Sequence, residues 1–137
     1  MIPIVLDTNV LVSALLSPGG PSHQVVLLVI RGDLQLGVDA RIRQEYQEVL
    51  TRGKFRFSQV LVSDLLSALF EQAEEVIALP VAESFPDEED RPFIEVALAH
   101  RASALVTGNV RHFGLAKKMG LRVMKPAEFL HWWASQR

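Results

Sequence analysis

The chain has 137 residues, 49% of them hydrophobic, which suffices for one sizeable core and is too little for two. Its 14 basic and 16 acidic side chains leave a formal charge of -2, so no overall positive field draws in a polyanion, and any nucleic-acid site must arise from local patterning. The absence of cysteine excludes disulfides, thiolate metal sites and cysteine nucleophiles together.

Ile2 to Leu6 is a short β-branched run without polar alternation, the pattern of a strand buried on both faces of a parallel sheet, and it ends abruptly at Asp7. Asn9 to Leu16 predicts a helix, stopped by Ser17-Pro18-Gly19-Gly20-Pro21. A second helix is expected from about Ser22 to Arg31, closing at Gly32-Asp33, with Leu34 to Val38 as the next strand and Asp39 as an N-cap. Ile42, Tyr46, Val49 and Leu50 then follow amphipathic spacing on a helix that also carries Glu45 and Glu48.

A longer helix is expected from Ser58 to about Glu75, followed by an apolar segment, Val76 to Val81, that reads as a possible strand placed at a sheet edge by Pro80. Pro92 fits the first turn of a helix reaching about Arg101, and Ala104 to Thr107 follows as a strand. A short helix near Leu115, a strand from Leu121 to Met124 and a Pro126-initiated helix to about Ser135 complete the chain. No repeat or polar linker interrupts this alternation, which predicts a single three-layer α/β/α sandwich over residues 1–137. The N-terminus has no basic leader, and the longest aliphatic run, Val25 to Ile30, is far below the ~20 residues of a membrane span, so a soluble cytoplasmic protein is expected.

Ligands of open parallel sheets bind at the carboxyl ends of the strands. That rule selects Asp7 after the first strand and Asn109 just beyond the fourth, with Asp90 at or beside a helix start. On the Ile42 helix, a turn of about 100° per residue leaves Glu45 roughly 85° from the centre of the apolar face and Glu48 roughly 145° away, so Glu45 borders the core and Glu48 faces water. Carboxylates gathered at one edge raise one another's pKa unless a cation sits among them. Magnesium or manganese suits such oxygen ligands and can hold a phosphodiester while activating a water for in-line attack, which is hydrolytic nuclease chemistry. The four histidines, His23, His100, His112 and His131, show no ligand spacing and read as structural or surface residues, which argues against zinc.

The segment Val5-Leu6-Asp7-Thr8-Asn9-Val10-Leu11-Val12-Ser13-Ala14 resembles the opening motif of PIN domains, and further matches occur in order: Glu45 in Glu45-Tyr46-Gln47-Glu48-Val49-Leu50, Asp90 seven residues before Ala97, and Val106-Thr107-Gly108-Asn109 before Phe113. The ending Lys125-Pro126-Ala127-Glu128-Phe129-Leu130 is similar to one bacterial subgroup described as toxins of toxin-antitoxin pairs. The resemblance spans the whole chain and implies a central parallel sheet in the order 3-2-1-4-5. It also implies a Mg2+- or Mn2+-dependent ribonuclease, often with a partner antitoxin and a homodimer. Carried over residue by residue, it makes Asp7, Glu45, Asp90 and Asn109 metal-holding catalytic residues, with Thr8, Asn9 and Thr107 in support. Many members have a fourth Asp where this chain has Asn109, an amide that offers an oxygen without charge. One ion held firmly and a second only with substrate, or partial substitution by Asp87, is the expected consequence.

Blander readings stand beside these. Asp7 can simply cap the following helix, Glu45 can be a solvated helix residue, Thr8 and Asn9 can be turn residues, and the acidic run from Asp87 to Asp90 can serve the dipole of the next helix. Asp90 is preferred over Glu88 and Glu89 because it precedes Phe93 and Ile94 by three and four residues, although Pro92 disfavours helical geometry at Arg91. The basic and aromatic stretch Arg52-Gly53-Lys54-Phe55-Arg56-Phe57 can grip RNA, but a loop with solvated cations and buried phenylalanines explains it as well. Arg111, Lys117 and Lys118 are the preferred phosphate contacts. Adjacent Trp132 and Trp133 point about 100° apart on a helix, so one is expected to be exposed and to serve a dimer or partner contact. Two other functions compete: a catalytically weak, metal-binding RNA- or antitoxin-binding module, and a phosphotransferase of the haloacid dehalogenase type with Asp7 as nucleophile, against which Asn9 counts where a second Asp is usual.

Overall fold

The computed structural model describes residues 1–136. Five strands form one parallel sheet: β1 (Ile2–Leu6), β2 (Leu34–Val38), β3 (Glu74–Glu75), β4 (Ala104–Val106) and β5 (Val123–Met124), in the order β3-β2-β1-β4-β5. Helices flank it: α1 (Thr8–Leu16), α2 (Pro21–Ile30), α3 (Ala40–Leu50), α4 (Gln59–Gln72), α5 (Arg91–Ala99), α6 (Gly114–Lys118) and α7 (Pro126–Ser135). Parallel neighbours need crossover connections, and the alternation of apolar strand and amphipathic helix supplies them.

The central strands carry the core. Ile4, Val5 and Leu6, Leu34, Leu36 and Val38, and Ala104, Leu105 and Val106 are all fully buried, as uniformly apolar strands covered on both faces must be. Gly37 serves a close approach, because a Cβ there would stand 2.6 Å from the His100 ring, whose Nε2 lies 2.9 Å from the Gln35 carbonyl. The order of strands reverses direction at β1, with β2 on one side and β4 on the other, so the connections leaving β1 and β4 diverge and open a crevice at their carboxyl ends.

The edge of the sheet differs from the sequence-based expectation. The helix expected to reach Glu75 ends at Gln72, and the third strand is Glu74–Glu75, two exposed acidic residues, rather than Val76 to Val81. Pairing with Gly37 and Val38 makes it a strand, helped by the bond from the Val76 amide to the Val38 carbonyl, by an ion pair from Arg43 to Glu75 and by a contact of 3.4 Å between the His100 ring and Glu74. Its own composition carries no strand signal. Val76 to Val81 runs on without regular structure, so Pro80 sits in a connection and not on an edge strand. Asp39 caps α3 as expected, accepting the Ile42 amide at 3.0 Å. Among the described residues no helix is long and apolar enough to cross a membrane.

Candidate active site

The exits of β1 and β4 lie side by side: Leu6 pairs with Val106, and the Asp7 amide donates to the Val106 carbonyl at 2.9 Å. Asp7 occupies the cap position of α1, yet its side chain makes no capping bond there. Its carboxylate instead accepts the Thr107 hydroxyl at 2.7 Å, and that hydroxyl oxygen accepts the Asn109 amide at 3.0 Å. Asn9 ties the same two connections together by accepting the Gly108 amide at 3.0 Å.

On α3, fully buried Ile42, Tyr46 and Leu50 fix the helix face, leaving Glu45 half-buried and Glu48 exposed, as the angular argument requires. The Tyr46 hydroxyl donates to the Leu6 carbonyl at 2.6 Å, which pins α3 to the last residue of β1. Glu45 accepts a hydrogen bond from Thr8, the residue after Asp7. Thr8 and Thr107 therefore each hold one carboxylate, and two acids separated by 38 positions in the chain face one edge.

Asp90 precedes α5 and makes no capping bond. Arg91 adopts helical geometry despite Pro92, so the backbone is already turned toward the helix at this point. The Asp90 carboxyl is pushed up to about 6 by burial, by Asp7, Asp87 and Glu45, and is partly relieved by His112. Burial raises Asp7, against the Thr107 hydrogen bond; burial likewise raises Glu45, with Asp7 and Glu89 adding to it and Thr8 and Arg52 opposing. Tyr46 is raised by burial and by the same two acids. The three carboxylates thus sense one another's charge, and among the described residues none has a buried cation as its partner.

Asp87 takes the bland role in part: its Oδ1 accepts the Glu89 amide at 2.9 Å and caps a single 3-10 turn, Glu88–Asp90. Its charge still reaches Asp90, and both line a cleft of about 240 Å³ with Pro86, Arg111 and His112. Asn109 is exposed at the start of the turn Val110–Phe113. Lys117 and Lys118 are exposed on α6 and are not among the residues lining that cleft. His112, read from the sequence as structural or surface, belongs to the cleft and acts on both Asp7 and Asp90. No ligand spacing could have revealed it; its position three residues after Asn109 was the available signal.

Trp132 and Trp133 are both half-buried, so they are not buried together in one core face, as their angular separation requires, and neither is the exposed ring expected for a dimer or partner contact. Trp132 packs on Phe129 with Arg122 over its face, and Trp133 lines a groove with Leu27 and Leu28 of α2.

The edge residues offer oxygen atoms and excess negative charge, the donor chemistry of a hard divalent ion. Among the described residues no three His, Asp or Glu side chains close up into a finished cage.

Comparison with known proteins places this geometry in a lineage. The fold is similar to a chain in the crystal structure of VapBC2 from Rickettsia felis bound to a DNA fragment from their promoter, with a TM-score of 0.57, 16% identity, and coverage of 90% of this chain and 98% of that one. No curated protein matches. The PIN domain family model matches residues 3–111, most of the chain and every acid of the edge. The chain belongs to the PIN-domain family.

Proposed function

We propose that the protein is a metal-dependent endoribonuclease whose Asp7, Glu45 and Asp90 hold Mg2+ or Mn2+, with Asn109 offering a neutral fourth oxygen. Membership of a family that generally consists of nucleases supports phosphodiester hydrolysis. The observation that carries the metal is the gathering of acids where β1 and β4 end, with Asp7 held by Thr107, Glu45 held by Thr8, and Asp90 within reach of both charges, a surplus of negative charge that a divalent cation neutralises. When bound, the ion supplies Lewis-acid stabilisation of the phosphodiester and a more acidic water.

The chain's own residues set the stage. Thr107 and Thr8 hold the Asp7 and Glu45 carboxylates in place, Tyr46 locks α3 against β1, and Arg111 places positive charge in the cleft that it lines with Asp87, Asp90 and His112, where a substrate phosphate meets it. Lys117 and Lys118 extend positive charge beyond that cleft along the substrate. An antitoxin partner, which the sequence resemblance implies, gains support from the likeness to a chain of VapBC2, a complex bound to promoter DNA. A homodimer and a cytoplasmic location belong to the same reading, and sedimentation as a concentration-independent monomer would remove the dimer.

The test is cleavage of mixed structured and unstructured RNA in Mg2+ or Mn2+ by wild type, Asp7→Asn and Asp90→Asn. Loss of cleavage in both variants and in chelator is expected. Activity that survives all three sinks the assignment. A second reading, a metal-binding RNA- or antitoxin-binding module with little turnover, is favoured by the exposed amide at Asn109 in place of a fourth acid. Tight RNA binding without turnover in either metal would select it.

A further inference from the structure

The turn that follows α3 has no part in the site described so far. Arg52, Lys54 and Arg56 are all exposed, placing three cations and no acid within residues 52–57 of a chain whose formal charge is -2. Phe55 and Phe57 stack with ring centroids 5.4 Å apart and planes within 9° of parallel. Phe57 packs, partly buried, against the core, whereas among the described residues Phe55 is not part of that packing. Phe57 therefore backs Phe55 from the protein side, and the Lys54 ammonium lies over the Phe55 ring, 5.0 Å from its centroid, a flexible solvated side chain that a stacking base displaces. A half-exposed phenyl ring held flat by a second one, without core duty, has no evident structural purpose. The expectation of solvated cations holds, whereas neither phenylalanine is fully buried as expected: Phe57 is partly buried against the core and Phe55 is half-exposed.

The turn also adjoins the acidic edge. Arg52 lies two residues past the end of α3, the helix that carries Glu45. Glu45 is only five residues before the end of α3, roughly 7–8 Å of helix rise. A single strand whose cleaved linkage lies at Glu45 and Asp7 passes this turn on its way out.

The geometry points to Arg52–Phe57 as a docking platform for single-stranded RNA: a nucleobase near the cleaved linkage stacks on Phe55, and Arg52 and Arg56 meet the adjoining phosphates. Every base presents a π-face, so stacking holds RNA without selecting sequence, and flanking guanidinium groups add charge and cation-π attraction. This inference rests on the ribonuclease reading for its substrate class, but it concerns binding and not hydrolysis.

The test is fluorescence anisotropy with a short fluorescein-labelled single-stranded RNA, in chelator so that cleavage cannot intervene, using the full chain. Phe55→Ala is expected to weaken binding roughly 5- to 150-fold, the usual effect of removing a stacking ring, while Phe55→Trp retains or tightens it. Arg52→Gln is expected to weaken binding for all sequences and to lower the salt slope by about one. Thermal melting of Phe55→Ala should fall only slightly, since the ring supports no core and loses only its stacking on Phe57 and its contact with Lys54. Wild-type affinity in Phe55→Ala, equal losses in Phe55→Ala and Phe55→Trp, or no RNA binding by wild type would overturn the platform. So would loss of a copurifying protein partner from Phe55→Ala with RNA affinity unchanged. If wild type binds RNA through Phe55 but cleaves none in Mg2+ or Mn2+, the platform stands and the ribonuclease reading falls.

Discussion

The Thr107 hydroxyl, at the exit of β4, donates to the Asp7 carboxylate at the exit of β1 across 2.7 Å and 100 positions of sequence. Its oxygen also accepts the Asn109 amide, so one buried side chain orients an acid and fixes the turn beyond it. Thr107→Val keeps the shape and removes both roles. Metal affinity or cleavage is expected to fall about 10- to 100-fold, as when other supporting bonds to ligating carboxylates are removed. Wild-type rates in this variant would show that Asp7 needs no such hold.

Tyr46→Phe probes the other clamp. The variant loses a 2.6 Å bond to the Leu6 carbonyl in a fully buried setting, which costs about 1 kcal/mol. Urea unfolding should show that loss together with reduced cleavage, because Glu45 is carried by the helix that Tyr46 pins. Unchanged midpoint and unchanged cleavage would contradict the clamp.

Asp90→Asn should separate stability from function. Its carboxyl is raised to about 6, so the folded protein binds this proton more tightly than the unfolded chain, and ionising it at neutral pH works against folding. Asp90 is half-exposed, so solvent screening limits the gain from neutralising it to on the order of 1 kcal/mol. In chelator at pH 7 the variant should melt higher than wild type, and in Mg2+ or Mn2+ it should cleave no RNA. A lower melting temperature would indicate that Asp90 is a structural residue.

These residues differ in how legible they were. The strands Ile2–Leu6, Leu34–Val38 and Ala104–Val106 announce themselves because burial on both faces demands uninterrupted apolar side chains, and Glu45 could be oriented because three large residues define its helix face. β3 could not be found, since two exposed glutamates become a strand only through the backbone of β2. Asp7 was visible at a strand end, but that it forgoes capping for Thr107 depends on a partner at the far end of the chain. His112 and the stacking of Phe55 on Phe57 required three-dimensional neighbours that no local pattern encodes.

Glu95 offers a control away from the acidic edge. It is buried, accepts the Val81 amide at 2.8 Å, and pairs with Arg41 at 2.8 Å and Arg91 at 3.3 Å, tying the connection before α5 to α3. Burial pushes its carboxyl up, but the Val81 amide and the two arginines outweigh this and leave it below the usual carboxylate range. A depressed carboxylate stabilises the fold above its unfolded pKa and ceases to do so as pH falls through the folded value. Glu95→Gln should therefore lower stability at pH 7 by about 1–2 kcal/mol, discounted because both arginines are partly solvated, and the gap from wild type should close as pH falls through the lowered folded value. A gap that stays constant from pH 7 to pH 3 would contradict the ionic account.

The most direct measurement is a Mn2+ titration followed by electron paramagnetic resonance, comparing wild type with Asp7→Asn, Glu45→Gln and Asp90→Asn. One firmly held ion per chain in wild type, weakened in all three variants, is the predicted result. Wild-type occupancy in every variant, or no ion bound by wild type, would mean that these acids do not share a cation.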